Sequence, residues 1–116
     1  MNDASGRQQL LSDRQALRAR IVECFRDLSP ERIILFGSAA RGQADQWSDV
    51  DLILVVPTEK RFLDRLEDAY LRWTLPFAAD ILVYTPAEFD AMVEQENSLI
   101  SEALAHGVVL YERSGR

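Results

Sequence analysis

The apolar positions of the chain change period several times, and each change marks an element. Ala16, Leu17, Ile21, Cys24, Phe25 and Leu28 recur at helical spacing and stop at Ser29-Pro30, while Ser12 with Gln15 has the form of a capping box. "RIILF", residues 32–36, is short, β-branched and halted by Gly37-Ser38, which predicts a buried strand. "AARG" is at most a brief helix and "GQADQW" a polar loop. In "DVDLILVV", residues 49–56, alternation gives way to a continuous apolar run ending at Pro57, the pattern of a strand covered on both faces.

Between Glu59 and Trp73 the stripe Phe62, Leu63, Leu66, Ala69, Tyr70 and Trp73 predicts a second helix, its other side carrying Asp64, Arg65, Glu67, Asp68 and Arg72. "ADILVYT", residues 79–85, reads as a third strand. Pro86 suits the first position of the next helix, whose inner face is Phe89, Met92 and Val93. Leu99, Ile100, Ala103 and Leu104 continue helically to Gly107, expected as the glycine just past the helix end, before a last strand "VVLY". The order helix, strand, strand, helix, strand, helix, helix, strand predicts an α/β (α+β) fold, a small mixed sheet with helices packed against it. Strand order is not fixed by this pattern. Residues 1–11 read as a loose tail and 12–116 as a single domain.

Composition narrows the function classes. At 116 residues and 47% hydrophobic, the chain can bury an ordinary core. One cysteine, Cys24, gives no disulfide framework, and its place on the apolar stripe assigns it to the core. No apolar run is long enough to span a bilayer and the N-terminus lacks a signal-peptide core, so a soluble cytoplasmic protein is expected. A net charge of −6 repels a phosphate backbone, which argues against nucleic acid as a direct partner and suits a basic protein or a metal-complexed nucleotide.

The candidate chemistry lies in "ILFGSAARGQADQWSDVDLILVV". On a strand, side chains two apart share a face, so Asp49 and Asp51 are expected side by side. Two adjacent carboxylates resist joint ionisation unless a cation neutralises them, and Mg²⁺, which takes hard oxygen ligands alongside nucleotide phosphates, is the natural candidate. Gly37-Ser38 at the preceding strand end supplies a turn where backbone N–H groups and a hydroxyl can meet phosphate oxygens, with Arg41 as an added cation. Asp80 opens the third strand and joins the pair if that strand lies beside the second. Three acids around two ions roughly 3.5–4 Å apart match the arrangement for in-line attack on phosphorus. Trp47, in the polar loop beside the carboxylates, is placed to cover the site, to meet a partner or to pack locally. His106, before the helix-ending glycine, complements the helix dipole and reads as structural.

Gly37-Ser38, ten residues, then Asp49-Val50-Asp51, with apolar strands on either side and a later strand aspartate, resembles the signature of the DNA polymerase beta-like nucleotidyltransferase superfamily. The short length and the ending "LISEALAHGVVLYER" are most similar to the minimal nucleotidyltransferase (MNT) antitoxins that accompany HEPN-domain ribonuclease toxins. The resemblance spans roughly residues 31–113. It implies Gly37 and Ser38 as phosphate-binding, Asp49, Asp51 and Asp80 as metal-binding and catalytic, two Mg²⁺ ions as cofactor, ATP as substrate, and transfer of AMP to a tyrosine of the toxin partner. Two other readings are a binding-only antitoxin that masks a basic ribonuclease, and a nucleotidyltransferase for a small hydroxyl-bearing molecule.

Overall fold

A computed structural model of the chain describes residues 14–37, 50–76 and 78–113. Ser12, Ser38, Arg41, Trp47 and Asp49 lie outside the described residues. Helix α1, Arg14–Cys24, is followed by a 3-10 turn, Arg26–Leu28; strand β1 is Arg32–Phe36 and β2 is Val50–Val55. Then come α2, Phe62–Leu71; β3, Ala79–Tyr84; α3, Pro86–Glu94; α4, Ser98–His106; and β4, Val108–Glu112. The four strands form one mixed sheet in the order β3-β2-β1-β4. β2 runs antiparallel to β1 and parallel to β3, and β4 is antiparallel to β1.

Helices cover both faces, which is why β2 reads as a continuous apolar run. Leu52 and Leu54 join Leu17, Ile21 and Phe25 of the α1 region, Ile33 and Leu35 of β1, Ala69 of α2 and Ile81 and Val83 of β3 in one buried layer. Ile53 and Val55 point the other way, into a layer with Ile34 of β1, Phe89 of α3 and Ile100 and Ala103 of α4. Strand alternation thus divides every second residue between two cores.

Several details depart from the apolar pattern. The first helix tightens after Cys24 into the 3-10 turn, and Ser29, at φ 51°, turns the chain before the buried Pro30. On α2 the buried stripe is narrower than its sequence suggests: Ala69 is buried and Leu66 and Trp73 pack partly against the core, while Leu63 is 76% exposed. Arg65, on the polar side by sequence, keeps only 10% of its side chain exposed, because it bonds Glu88 of α3 at 2.8 Å and the Lys60 carbonyl at 2.7 Å. Gly107 follows α4 with an extended backbone at φ −82°, not a left-handed one. Glycine is needed there for close approach: a Cβ would stand 2.9 Å from the Leu35 carbonyl oxygen and 2.3 Å from that of Ala103.

Two helix starts are capped as local chemistry dictates. Thr85 accepts from the Glu88 N–H at 3.2 Å while Glu88 accepts from the Thr85 N–H at 2.9 Å, a reciprocal box ahead of Pro86. Asn97 accepts from the Ile100 N–H at 3.2 Å at the start of α4. The described residues contain no helix long and apolar enough to cross a membrane.

Candidate active site

The end of the sheet where β1 finishes and β2 and β3 begin gathers three of the six residues singled out by sequence. Asp51 and Asp80 are register partners on adjacent parallel strands, and Phe36 is the partner of Asp51 on its other side. Neighbouring strands lie about 4.8 Å apart, so the two aspartates are as close along the ladder as two residues can be. They also share a face. Asp51 is two residues before Ile53 and Asp80 two before Leu82, and both of those residues belong to the layer beneath α3 and α4. Asp51 is half-buried and Asp80 exposed, so the pair opens from the sheet edge toward solvent.

Gly37 completes this end of the sheet in a way that sequence reasoning did not foresee. Its φ is +75°, a conformation that residues with a side chain rarely adopt. A Cβ built on it would lie 2.3 Å from Oδ2 of Asp51 and 3.2 Å from its Cγ. The volume that a side chain would fill is therefore occupied by the carboxylate, which rests against the glycine backbone. The glycine is required by the acid opposite it as well as by the turn.

The strand that carries Asp80 is fixed from outside by Tyr70 of α2, whose hydroxyl accepts from the Ile81 N–H at 2.9 Å. Sequence places Tyr70 in a packing stripe; in the structure its ring is 45% exposed and its hydroxyl satisfies a backbone donor on the free edge of β3. No periodicity rule signals that role, since the apolar spacing is the same whether a tyrosine packs or bonds. At the far side of the site, Gly107 brings the end of α4 under β1, so His106 occupies the last turn of a helix that stops beside Leu35.

Two carboxylates from neighbouring strands, one held against a glycine turn, are hard oxygen donors of the kind that suits a divalent cation such as Mg²⁺. Among the described residues no trio of His, Cys, Asp or Glu stands close enough to hold an ion by itself. Asp49, the remaining acid expected here, is outside them, as are Ser38 and Arg41.

Comparison with known proteins places this geometry in a wider set. Residues 18–110 match the family model described as "Nucleotidyltransferase domain". A protein of Methanocaldococcus jannaschii named "Putative protein adenylyltransferase MJ1305" is 35% identical over 85 residues, which cover 70% of this chain; the chain spans 58% of that relative's length. A crystal structure of "a putative nucleotidyltransferase from Sulfolobus solfataricus" superposes with a TM-score of 0.58 at 20% identity, covering 97% of this chain and 90% of the other. A crystal structure of "the toxin-antitoxin with AMP-PNP" gives a TM-score of 0.61 at 21% identity over 84% of this chain and 74% of its own. At those identities the two structures speak for the fold alone.

Proposed function

The chain belongs to the nucleotidyltransferase domain family, and from that premise we propose that it is an Mg²⁺-dependent adenylyltransferase that moves AMP from ATP to a tyrosine of a HEPN-type ribonuclease toxin and so acts as its antitoxin. The observation that supports this most is the pairing of Asp51 with Asp80 on one face of adjacent strands, with Gly37 pressed against Asp51. The word adenylyltransferase in the name of the M. jannaschii relative, and the toxin-antitoxin neighbour crystallised with AMP-PNP, favour AMP transfer to a protein over transfer to a small molecule. The HEPN partner and the tyrosine acceptor rest on the resemblance to MNT antitoxins.

In this reading Asp49, Asp51 and Asp80 would hold two Mg²⁺ ions, which when bound would supply neutralisation of the triphosphate and a lowered pKa of the attacking hydroxyl. Gly37, by lacking a side chain, leaves the Asp51 carboxylate and the turn backbone within reach of the same phosphates. Ser38 donates its hydroxyl to a phosphate oxygen and Arg41 adds a charge-assisted hydrogen bond. A carboxylate of the trio accepts the proton of the tyrosine hydroxyl as its oxygen attacks the α-phosphorus, and diphosphate departs on the opposite side.

The test is the intact mass of the partner protein after co-production with the wild-type chain or with Asp49→Asn. AMP-sized increments seen with the wild type alone are expected. A full-strength complex, protection from toxicity and an unmodified partner in both cases would replace this reading with masking of the toxin by binding. Transfer of AMP to a small alcohol, with the partner untouched, would replace it with the third reading.

A further inference from the structure

Of the two acids matched in register, Asp51 lies on an inner strand and Asp80 on an outer one. Asp51 has β1 on one side, where Phe36 is its partner, and β3 on the other. Asp80 is the second residue of β3, the strand that closes this edge of the sheet, so β2 holds its backbone from one side only. The ends of an edge strand open more readily than an inner one, and the direction of a carboxylate placed there is correspondingly hard to keep.

Helix α2 supplies the missing side. From Ala78 to Tyr84 the even-numbered residues turn their carbonyls to β2: Ala78 accepts from the Val50 N–H at 3.0 Å and Tyr84 from the Val56 N–H at 2.8 Å. Asp80 falls in the same set, so the peptide unit that joins Asp80 to Ile81 turns its carbonyl to β2 and its N–H to the open edge. Among the described residues no strand lies there, and the acceptor is the Tyr70 hydroxyl at 2.9 Å. A planar peptide held at both its carbonyl and its N–H cannot swivel, which fixes the direction in which the Asp80 side chain leaves the strand. That side chain is on the face of Leu82, toward α3 and α4, so the influence of Tyr70 on it runs through the backbone.

We propose that Tyr70 is a positioning residue of the carboxylate end: by accepting from the Ile81 N–H it holds Asp80 in line with Asp51 and sets how tightly the two acids bind a divalent cation, a role that rests on the reading of these acids as Mg²⁺ ligands. The hydroxyl is the working part. Phenylalanine would keep the ring and lose the acceptor.

Tyr70→Phe in the full chain isolates that hydroxyl, while Leu66→Ala, partly buried on the same helix, loosens α2 without removing the bond. Two measurements need no turnover. Amide hydrogen exchange at Ile81 should quicken about tenfold in Tyr70→Phe and change little at Leu82, whose N–H faces β2. Mn²⁺, added alone and followed by the paramagnetic broadening it causes around Asp51 and Asp80, should bind Tyr70→Phe about tenfold more weakly, as when an outer partner of a metal ligand is lost. Leu66→Ala should bind it as the wild type does. In AMP transfer, Tyr70→Phe should need about tenfold more Mg²⁺ for its half-maximal rate and approach the wild-type rate at saturation. Unchanged exchange at Ile81, or Mn²⁺ affinity that is unchanged in Tyr70→Phe or lowered equally in Leu66→Ala, would overturn the proposal and leave Tyr70 as a cap that serves the fold, with the metal reading intact. A wild type that binds no Mn²⁺ at these acids, or an Asp51→Asn variant that binds it equally well, would overturn the metal reading and the role of Tyr70 together.

Discussion

The two ends of strands β2 and β3 treat their acids in opposite ways. At the end where these strands finish, two acids are matched with bases. Glu88 bonds Arg65 at 2.8 Å and the Thr85 backbone, and Asp68 of α2 is paired with Lys60. The hydrogen bond from the Thr85 backbone, aided by Arg65 and offset by partial burial, holds the Glu88 carboxyl below its ordinary range, and the bond from Lys60 does the same for Asp68. Tyr84 beside them is pushed up, first by burial and then by the Glu88 charge. At the end where the strands begin, Asp51 is matched in register with another acid, Asp80. One end uses charge to tie α2 and α3 to the sheet. The other sets two acids in register on adjacent strands, and such local conflict is where function is expected.

The sharpest way to break this contrast is to remove one charge from the carboxylate end. Asp51→Asn keeps the shape and removes one charge of the register pair, so on the proposed function nucleotidyl transfer should fall about a thousandfold, more than any accompanying loss of stability could explain. Thermal unfolding and AMP transfer to the partner measure the two quantities side by side. A loss of transfer no larger than the loss of stability explains would mean that Asp51 serves the fold, and the contrast between the ends would vanish.

Gly37→Ala acts on the same end without touching a charge. The new methyl group meets a φ of +75° and an Asp51 oxygen 2.3 Å away, so the turn and the carboxylate must both move. A loss of about 1–2 kcal/mol in denaturant titration is expected from the backbone conformation alone. Transfer should fall by at least about tenfold because the carboxylate is displaced. A variant that is destabilised but fully active would show that the contact with Asp51 has no part in the chemistry.

How much of this was legible in the sequence depended on how local the cause was. The strands could be read because "RIILF" and "DVDLILVV" are apolar runs ended by glycine and proline, and β2 is covered on both faces as its composition requires. The adjacency of Asp80 to Asp51 could only be stated as a condition, because it turns on β3 lying parallel beside β2, a long-range pairing that no local pattern encodes. The reason for Gly37 was half visible: the turn follows from residue type, whereas the carboxylate filling its missing side chain comes from a strand more than a dozen residues on. Gly107 ends α4 where the pattern places it, but the reason for a glycine was not legible: its backbone is extended, and what excludes a side chain is close contact with the Leu35 carbonyl of another strand. The Thr85–Glu88 box was within reach, as Thr-x-x-Glu ahead of an apolar run is its written form. The burial of Arg65 was not, because its partner sits on another helix.

The smallest expected effect belongs to the paired end and concerns pH. Glu88 has a folded pKa below its ordinary value of 4.5, so its ionised form is favoured by folding. Its contribution is fully present above that ordinary value and is lost as pH falls through the lower folded value. Because the Glu88 side chain is 45% exposed, solvent screens the pair with Arg65 and the contribution stays near the surface-pair range, at most about 1 kcal/mol. Arg65→Met removes the ion pair and the bond to the Lys60 carbonyl while keeping the apolar stem that packs beneath them. Denaturant midpoints measured from neutral pH down into the acid range should show the variant less stable at neutral pH and the two proteins converging as Glu88 protonates. Parallel curves would mean that the Thr85 backbone alone holds Glu88 ionised and that Arg65 ties the helices through the Lys60 carbonyl. AMP transfer by the variant at neutral pH should match the wild type, since this end of the sheet lies a full strand length from Asp51 and Asp80.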